Sequence, residues 1–280
     1  MSLHRLKTFG FMVLIYLSCS GLQPAVAQTF GFKQSVAQAA ALDRAVHEFY
    51  KTRNYQSFWT GDTPPERFRL RALIKSFSEA RLHGLPTTKF NSETLISKIL
   101  ASTSFGAMGQ LDVDLTVKFL DYARRVQSGI LIPSEVDEEI VRKVVYRDPT
   151  KILVALESTN AAVFFKSLPP QSVEYARLMK EKMRFEHLVA MDEWGSEVAA
   201  STLGPGASGA AVVGLRNRLI NLGHMQRTFS ATYNGELKNA VRRFQAASGL
   251  LVTGVAGNLT MEQINVPATE RLAQIMVAME

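Results

Sequence analysis

The five histidines, His4, His47, His83, His187 and His224, never fall three or four residues apart. No helix turn therefore offers the paired imidazoles of a zinc site, and neither a metal nor any other cofactor is expected. Cys19 is the single cysteine, so nucleophilic thiolate chemistry rests on that one position near the N-terminus. Asp112 with Asp114, or Glu138 with Glu139, could serve as the acid and nucleophile of a glycosidase, which stand about 5 to 9 Å apart. Asp112-Val113-Asp114 precedes a helical run, however, where carboxylates cap amides and oppose the dipole, and that reading is preferred. His83, just before Gly84, reads as a histidine capping carbonyls at a helix end. Phe49, Tyr50, Tyr55, Phe58 and Trp59 could stack on sugar rings, but their spacing suits a packed core. Lys238, Arg242 and Gln245 fall at 0, 4 and 7 along a helical stretch, beside its apolar stripe, and read as one water-facing side. A guanidinium there can hold a carboxylate through two hydrogen bonds. With Tyr233, just ahead of that stretch, these three are the candidate binding residues. Catalytic residues are not assigned, because phosphate loops, Ser-His-Asp arrangements and nucleotide fingerprints are missing from the sequence.

The elements that must position these residues are helices. Leu70, Leu73, Ile74 and Phe77 recur at the helical period and stop at His83-Gly84 and Pro86. Leu115, Phe119, Tyr122 and Val126 repeat the pattern from Asp114 to Gln127, ending at Gly129. A third piece starts after Asp148-Pro149, and a fourth, Val173 to Val189, follows Pro169-Pro170. Residues 28–41, rich in Gln, Ala and Ser, read as a flexible lead-in, and 42–193 as an irregular helical domain. Small residues from Trp194 to Thr202 read as a linker at 194–202. Beyond it, Val212, Leu215, Leu219 and Leu222 share a face closed by Gly223, and Leu237, Val241 and Phe244 share another closed by Gly249. Thr260-Met261-Glu262-Gln263 has a capping-box form at a third helix start. The fold class is all-α, an irregular helical domain followed by a small three-helix domain at 203–267.

The chain has 280 residues and a formal charge of +7, enough length for about two domains. Arg5 and Lys7, the nine apolar residues Phe9 to Leu17, and Ala25-Val26-Ala27 have the three parts of a cleavable export signal over residues 1–27. Nine residues rise only about 14 Å as a helix, too short to span a bilayer, so no membrane span is expected after cleavage. Lipid attachment at Cys19 is disfavoured by Tyr16, three residues before it, where a small aliphatic is wanted. Cleavage after Ala27 removes Cys19 and, with Arg5 and Lys7, leaves a charge of +5. That mild bias lacks the dense cationic stripe that nucleic acid requires.

Leu203-Gly204, Gly206, Gly209, Leu215-Arg216-Asn217-Arg218-Leu219, Gly223, Ala240-Val241-Arg242-Arg243-Phe244-Gln245, Gly249-Leu250, Gly254-Val255, Gly257 and Thr260 together resemble the peptidoglycan-binding domain that accompanies many cell-wall enzymes. One departure is Thr253, where that family has Asp. The preceding region, through Phe49-Tyr50, Arg53, Tyr55, Trp59, Glu79-Ala80, His83-Gly84-Leu85-Pro86, Asp114-Leu115-Thr116, Tyr122, Gly129, Pro133 and Tyr175, resembles the helical scaffold domain of the large periplasmic L,D-transpeptidases.

The resemblance implies a periplasmic location and peptidoglycan as partner. In that family a catalytic domain carries a nucleophilic cysteine in a Ser-His-Gly-Cys motif, whereas His83-Gly84 here runs on to Leu85. The expectation is therefore non-catalytic wall binding by a truncated or degenerate relative, with 268–280 as the start of a connector to a missing catalytic domain. Two rivals stand beside it. One is the N-terminal fragment of an active L,D-transpeptidase whose cysteine domain lies beyond residue 280. The other is an adaptor whose scaffold domain binds further cell-wall synthesis proteins.

Overall fold

The computed structural model describes residues 23–131 and 145–280, with side chains from Thr29 onward. Pro133, Glu138 and Glu139, and most of the expected leader with Cys19, lie outside the described residues. Among those described there are twelve α-helices: α1 (Gln23–Ala40), α2 (Arg44–Thr52), α3 (Pro64–Ser78), α4 (Ser92–Ala101), α5 (Phe105–Ser128), α6 (Pro149–Ser158), α7 (Ala161–Ser167), α8 (Val173–Ala190), α9 (Ala210–Asn221), α10 (Gly235–Ala247), α11 (Asn258–Asn265) and α12 (Ala268–Ala278). Pairing of β type is confined to two isolated bridges, Leu203 with Ala256 and Ser208 with Thr232, so the fold is all-α. The chain divides into two compact units, one of Met1–Arg71, Glu93–Leu120 and Asp148–Ser158, the other of Ala72–Ser92, Asp121–Arg147 and Thr159–Glu280. That division does not follow the 194–202 stretch.

In the first unit, residues 28–41 are not a flexible lead-in. Residues 28–40 belong to α1, which buries Val36, Ala39 and Ala40. Its low side-chain bulk hid the helix from the apolar pattern, but small residues are what a close approach needs. A Cβ on Gly109 of α5 would come within 2.6 Å of the Phe32 carbonyl, so only glycine admits α1 there. The same glycines, Gly106 and Gly109, masked the first turns of α5, which starts nine residues before Asp114 rather than at it.

Asp112 consequently lies inside a helix and caps nothing at that helix's start. It is fully buried and accepts hydrogen bonds from the backbone amides of Phe58 (2.9 Å), Trp59 (3.0 Å) and Thr60 (2.8 Å), from the Thr60 hydroxyl (2.8 Å) and from the Tyr50 phenol (2.6 Å). Burial, and then the Asp112 charge, hold the Tyr50 phenol well above its ordinary pKa, which keeps the donor protonated. Around this hub the aromatic group packs edge to face, with centroids 4.9 Å apart for Phe49 and Phe58 and 5.0 Å for Phe58 and Trp59. Trp59, buried and donating its indole N–H to Thr116 at 2.8 Å, is a core residue, as its spacing indicated.

In the second unit, α8 starts at Val173 because the Ser172 hydroxyl accepts the Tyr175 amide at 3.1 Å. His83 does not cap carbonyls. Its Nδ1 lies 2.9 Å from the Tyr175 hydroxyl, and Gly84, at φ 75°, closes the preceding turn instead. Lys182 of α8 is buried, yet its ammonium donates to the Arg81 carbonyl and to Glu186, both at 2.7 Å, so no charge is stranded. Residues 268–278 form α12, which packs along α8 and buries Ala268 beside Phe185 and Leu188. The Glu280 carboxylate accepts the amides of Ile130 (2.6 Å) and Leu131 (2.9 Å).

Helices α9, α10 and α11 surround a core of Val212, Leu215, Leu219, Leu237, Val241, Phe244, Met261 and Ile264. Gly223 (φ 78°) and Gly249 (φ 66°) adopt the left-handed conformations the sequence called for. The capping box at Thr260 is not formed. Helix α11 begins two residues earlier, and the buried Thr260 hydroxyl is engaged by Gln245. The 194–202 stretch is not a free tether either. Val198 is 3% exposed within this core, and the Arg218 guanidinium donates to the carbonyls of Gly195 (3.2 Å), Ser196 (3.1 Å) and Ile264 (2.7 Å) while lying 4.2 Å over the Trp194 ring.

Candidate functional site

Helix α10 carries the candidate site. The Asn234 side chain accepts the Leu237 amide at 3.0 Å, which sets the helix start and thus the angular position of every residue after it. Leu237, Val241 and Phe244 then point into the core, as the period demanded, and Gln245 points with them, since it falls eight residues after Leu237.

Gln245 is therefore corrected from a water-facing residue to a buried one, 1% exposed. Its Oε1 accepts the amides of Thr253 (3.0 Å) and Gly254 (2.9 Å). Its Nε2 donates to the Val255 carbonyl (2.9 Å), the Thr253 hydroxyl (3.2 Å) and the Thr260 hydroxyl (3.1 Å). One amide side chain thus satisfies the backbone of the 253–255 turn and joins it to α11. Tyr233 is buried as well, donating its hydroxyl to the Gly254 carbonyl at 2.9 Å; burial pushes that phenol up to about 12. Of the four candidates, two therefore build the turn and two, Lys238 and Arg242, remain available on its surface.

These two are brought together by Gly254. It sits at φ 76°, and a Cβ there would come within 3.0 Å of the Cγ atoms of both Lys238 and Arg242. The aliphatic stems of the two cations thus lie across bare backbone, with Lys238 half-buried and Arg242 exposed. Leu251, Val252 and Val255 are exposed on the adjoining turn. Arg243, the neighbouring cation, is committed elsewhere, donating from Nε (3.0 Å) and Nη2 (2.6 Å) to the His224 carbonyl. The result is a pair of cations beside a small apolar ledge. It is suited to holding carboxylates on a ligand with some apolar surface.

Sequence reasoning missed the role of Gly254. The available signal was a glycine one turn away from two long cationic stems, with Thr253 before it. Thr253 closes the turn itself, its hydroxyl accepting the Val255 amide at 3.1 Å. Arg216 and Arg218 were also read only as motif members, and both are buried, Arg216 donating to the Asn217 side-chain oxygen and the Ser230 carbonyl and Arg218 to backbone carbonyls. Among the described residues, no group of three or more His, Cys, Asp or Glu side chains is placed to hold a metal ion.

Residues 44–181 match the family described as "Scaffold domain", and residues 208–264 match the family described as "Putative peptidoglycan binding domain". The second match encloses α9, α10 and α11, with Lys238, Arg242 and Gly254. Among curated proteins nothing matches the chain.

Proposed function

We propose that this chain, which carries the scaffold and peptidoglycan-binding modules of the N-terminal part of a large L,D-transpeptidase, binds peptidoglycan in the periplasm without itself forming cross-links. The observation that carries the reading is the Lys238–Arg242 pair laid over Gly254 within the peptidoglycan-binding module. Wall glycan strands bear peptide stems with free carboxylates, which are the groups these cations can grip. The absence of catalysis is supported by the sequence, whose only cysteine is Cys19, in the expected leader. Export is supported by the form of residues 1–27.

Co-sedimentation with purified peptidoglycan tests the proposal. The full chain should pellet with the wall. Exposed ion pairs are worth only about 0.2 to 1 kcal/mol each, so Lys238→Ala combined with Arg242→Ala should weaken pelleting by several fold, and high salt should do the same. A chain that is helical by circular dichroism and stays in the supernatant at low salt would end this reading.

A further inference from the structure

The first unit contains a cleft of about 750 Å³ that has no part in the site on α10. Its wall is the segment between α2 and α3. That segment holds two consecutive non-glycine residues in the left-handed region, Asn54 at φ 51° and Tyr55 at φ 54°. Asp112 anchors the next residues, 58–60, from behind, so the wall is fixed in place.

Three cations, Lys33 of α1, Arg53 at the end of α2 and Arg69 of α3, line the cleft together with three carboxylates, Asp62, Glu66 and Glu157. The guanidiniums of Arg53 and Arg69 lie 4.9 and 4.2 Å from the centroid of the same Phe58 ring, which places two positive charges close together. Arg53 pairs with Glu157 and donates to the Ser57 carbonyl at 2.9 Å. Glu66 is occupied by Ser57 and Thr63, one of its contacts being the Thr63 amide at 2.9 Å. Arg69 is 7% exposed, donates Nε to the Phe58 carbonyl at 2.9 Å, and is one of the residues that line the cleft. Neither Arg69 nor Lys33 forms an ion pair among the described residues. Burial, and then the Arg53 charge, pull the Arg69 guanidinium below its ordinary pKa, while the Glu66 and Asp112 charges act the other way. Phe32, Phe105 and Met108 give the cleft an apolar side.

We propose that this cleft binds the free carboxylate end of a short peptide, with Arg69 as its two-pronged donor, Lys33 as the second cation, and the Phe32, Phe105 and Met108 side taking the terminal side chain. A planar guanidinium matches a carboxylate, and an adjacent apolar surface matches a small terminal residue such as alanine. The inference rests on the wall-binding reading for the source of that peptide, since wall stem peptides end in carboxylates, but it concerns a separate unit of the chain.

Calorimetric titration of the full chain with diacetyl-L-Lys-D-Ala-D-Ala, its C-terminal amide and its all-L isomer tests it. The free acid should bind at least tenfold more tightly than the amide and more tightly than the all-L isomer. Arg69→Lys, which keeps charge and loses the fork, should weaken binding by about tenfold. Lys33→Gln, a change that removes no hydrogen bond among the described residues, should weaken it several fold with an unchanged circular dichroism spectrum. Equal binding of acid and amide, or no binding by a folded chain, overturns the cleft. Preference for the all-L isomer overturns the wall as its source. The variants separate the two readings: peptide binding that survives Arg69→Lys and falls with Lys238→Ala and Arg242→Ala overturns the cleft alone, and wall pelleting that survives Lys238→Ala and Arg242→Ala and falls with Arg69→Lys overturns the α10 site alone.

Discussion

Two side chains show how residue type and placement divide structural from binding work. Asp112 collects five donors in the middle of a helix, so replacing one of its oxygens with an amide turns an acceptor into a donor facing donors. Asp112→Asn should therefore cost about 3 kcal/mol or more in urea unfolding, because buried donors lose their partner. Asp114→Asn, near the surface, should stay within about 0.5 kcal/mol. The same contrast holds on α10. Gln245→Ala leaves the Thr253 and Gly254 amides without their acceptor and should cost about 2 to 3 kcal/mol. Arg242→Ala should leave the melting temperature almost unchanged. A wall-binding defect in Gln245→Ala that persists at temperatures where the variant remains fully folded would show that the buried amide contributes to binding.

At the scale of elements, the 3₁₀ turn Ala80–His83 and helix α8 are joined by the contact of His83 with Tyr175 and by the Lys182 bond to the Arg81 carbonyl. Burial holds His83 and His224 below the ordinary histidine pKa. Below about pH 6.5 the unfolded chain then takes up protons that the folded chain does not, so stability is retained above that pH and lost as pH falls through it. Thermal unfolding should show a falling melting temperature from pH 7 to pH 5, and His83→Gln with His224→Gln should flatten that slope; an equal slope in both proteins would assign it to other groups. Helices with an apolar stripe and a chemical stop, such as α6 after Asp148-Pro149 and α8 after Pro169-Pro170, were legible in the sequence to within a residue or two. Helix α1 was not, because alanine, glutamine and serine give no stripe, and the start of α5 was not, because its glycines read as breaks while serving close packing. Gln245 was assigned to the wrong side for a related reason. It lies on the apolar stripe by spacing, but its polar type suggested water, and only the shape of the 253–255 turn shows what it bonds.

For the molecule as a whole, the matched modules account for residues 44–181 and 208–264. The stretch ahead of the second module nevertheless contributes Val198 to its core and the carbonyls of Gly195 and Ser196 to Arg218. This bears on how the module can be grafted onto another protein. A graft cut at Leu203, where the module's glycine-rich motif begins, would leave Arg218 buried with two of its three carbonyl acceptors gone and a void where Val198 sat. Such a graft should be less stable by about 3 kcal/mol or more than one cut at Trp194, as read by urea unfolding of the two fusions. The portable unit is thus longer than the recurring motif, and the residues that look most dispensable in the sequence travel with it.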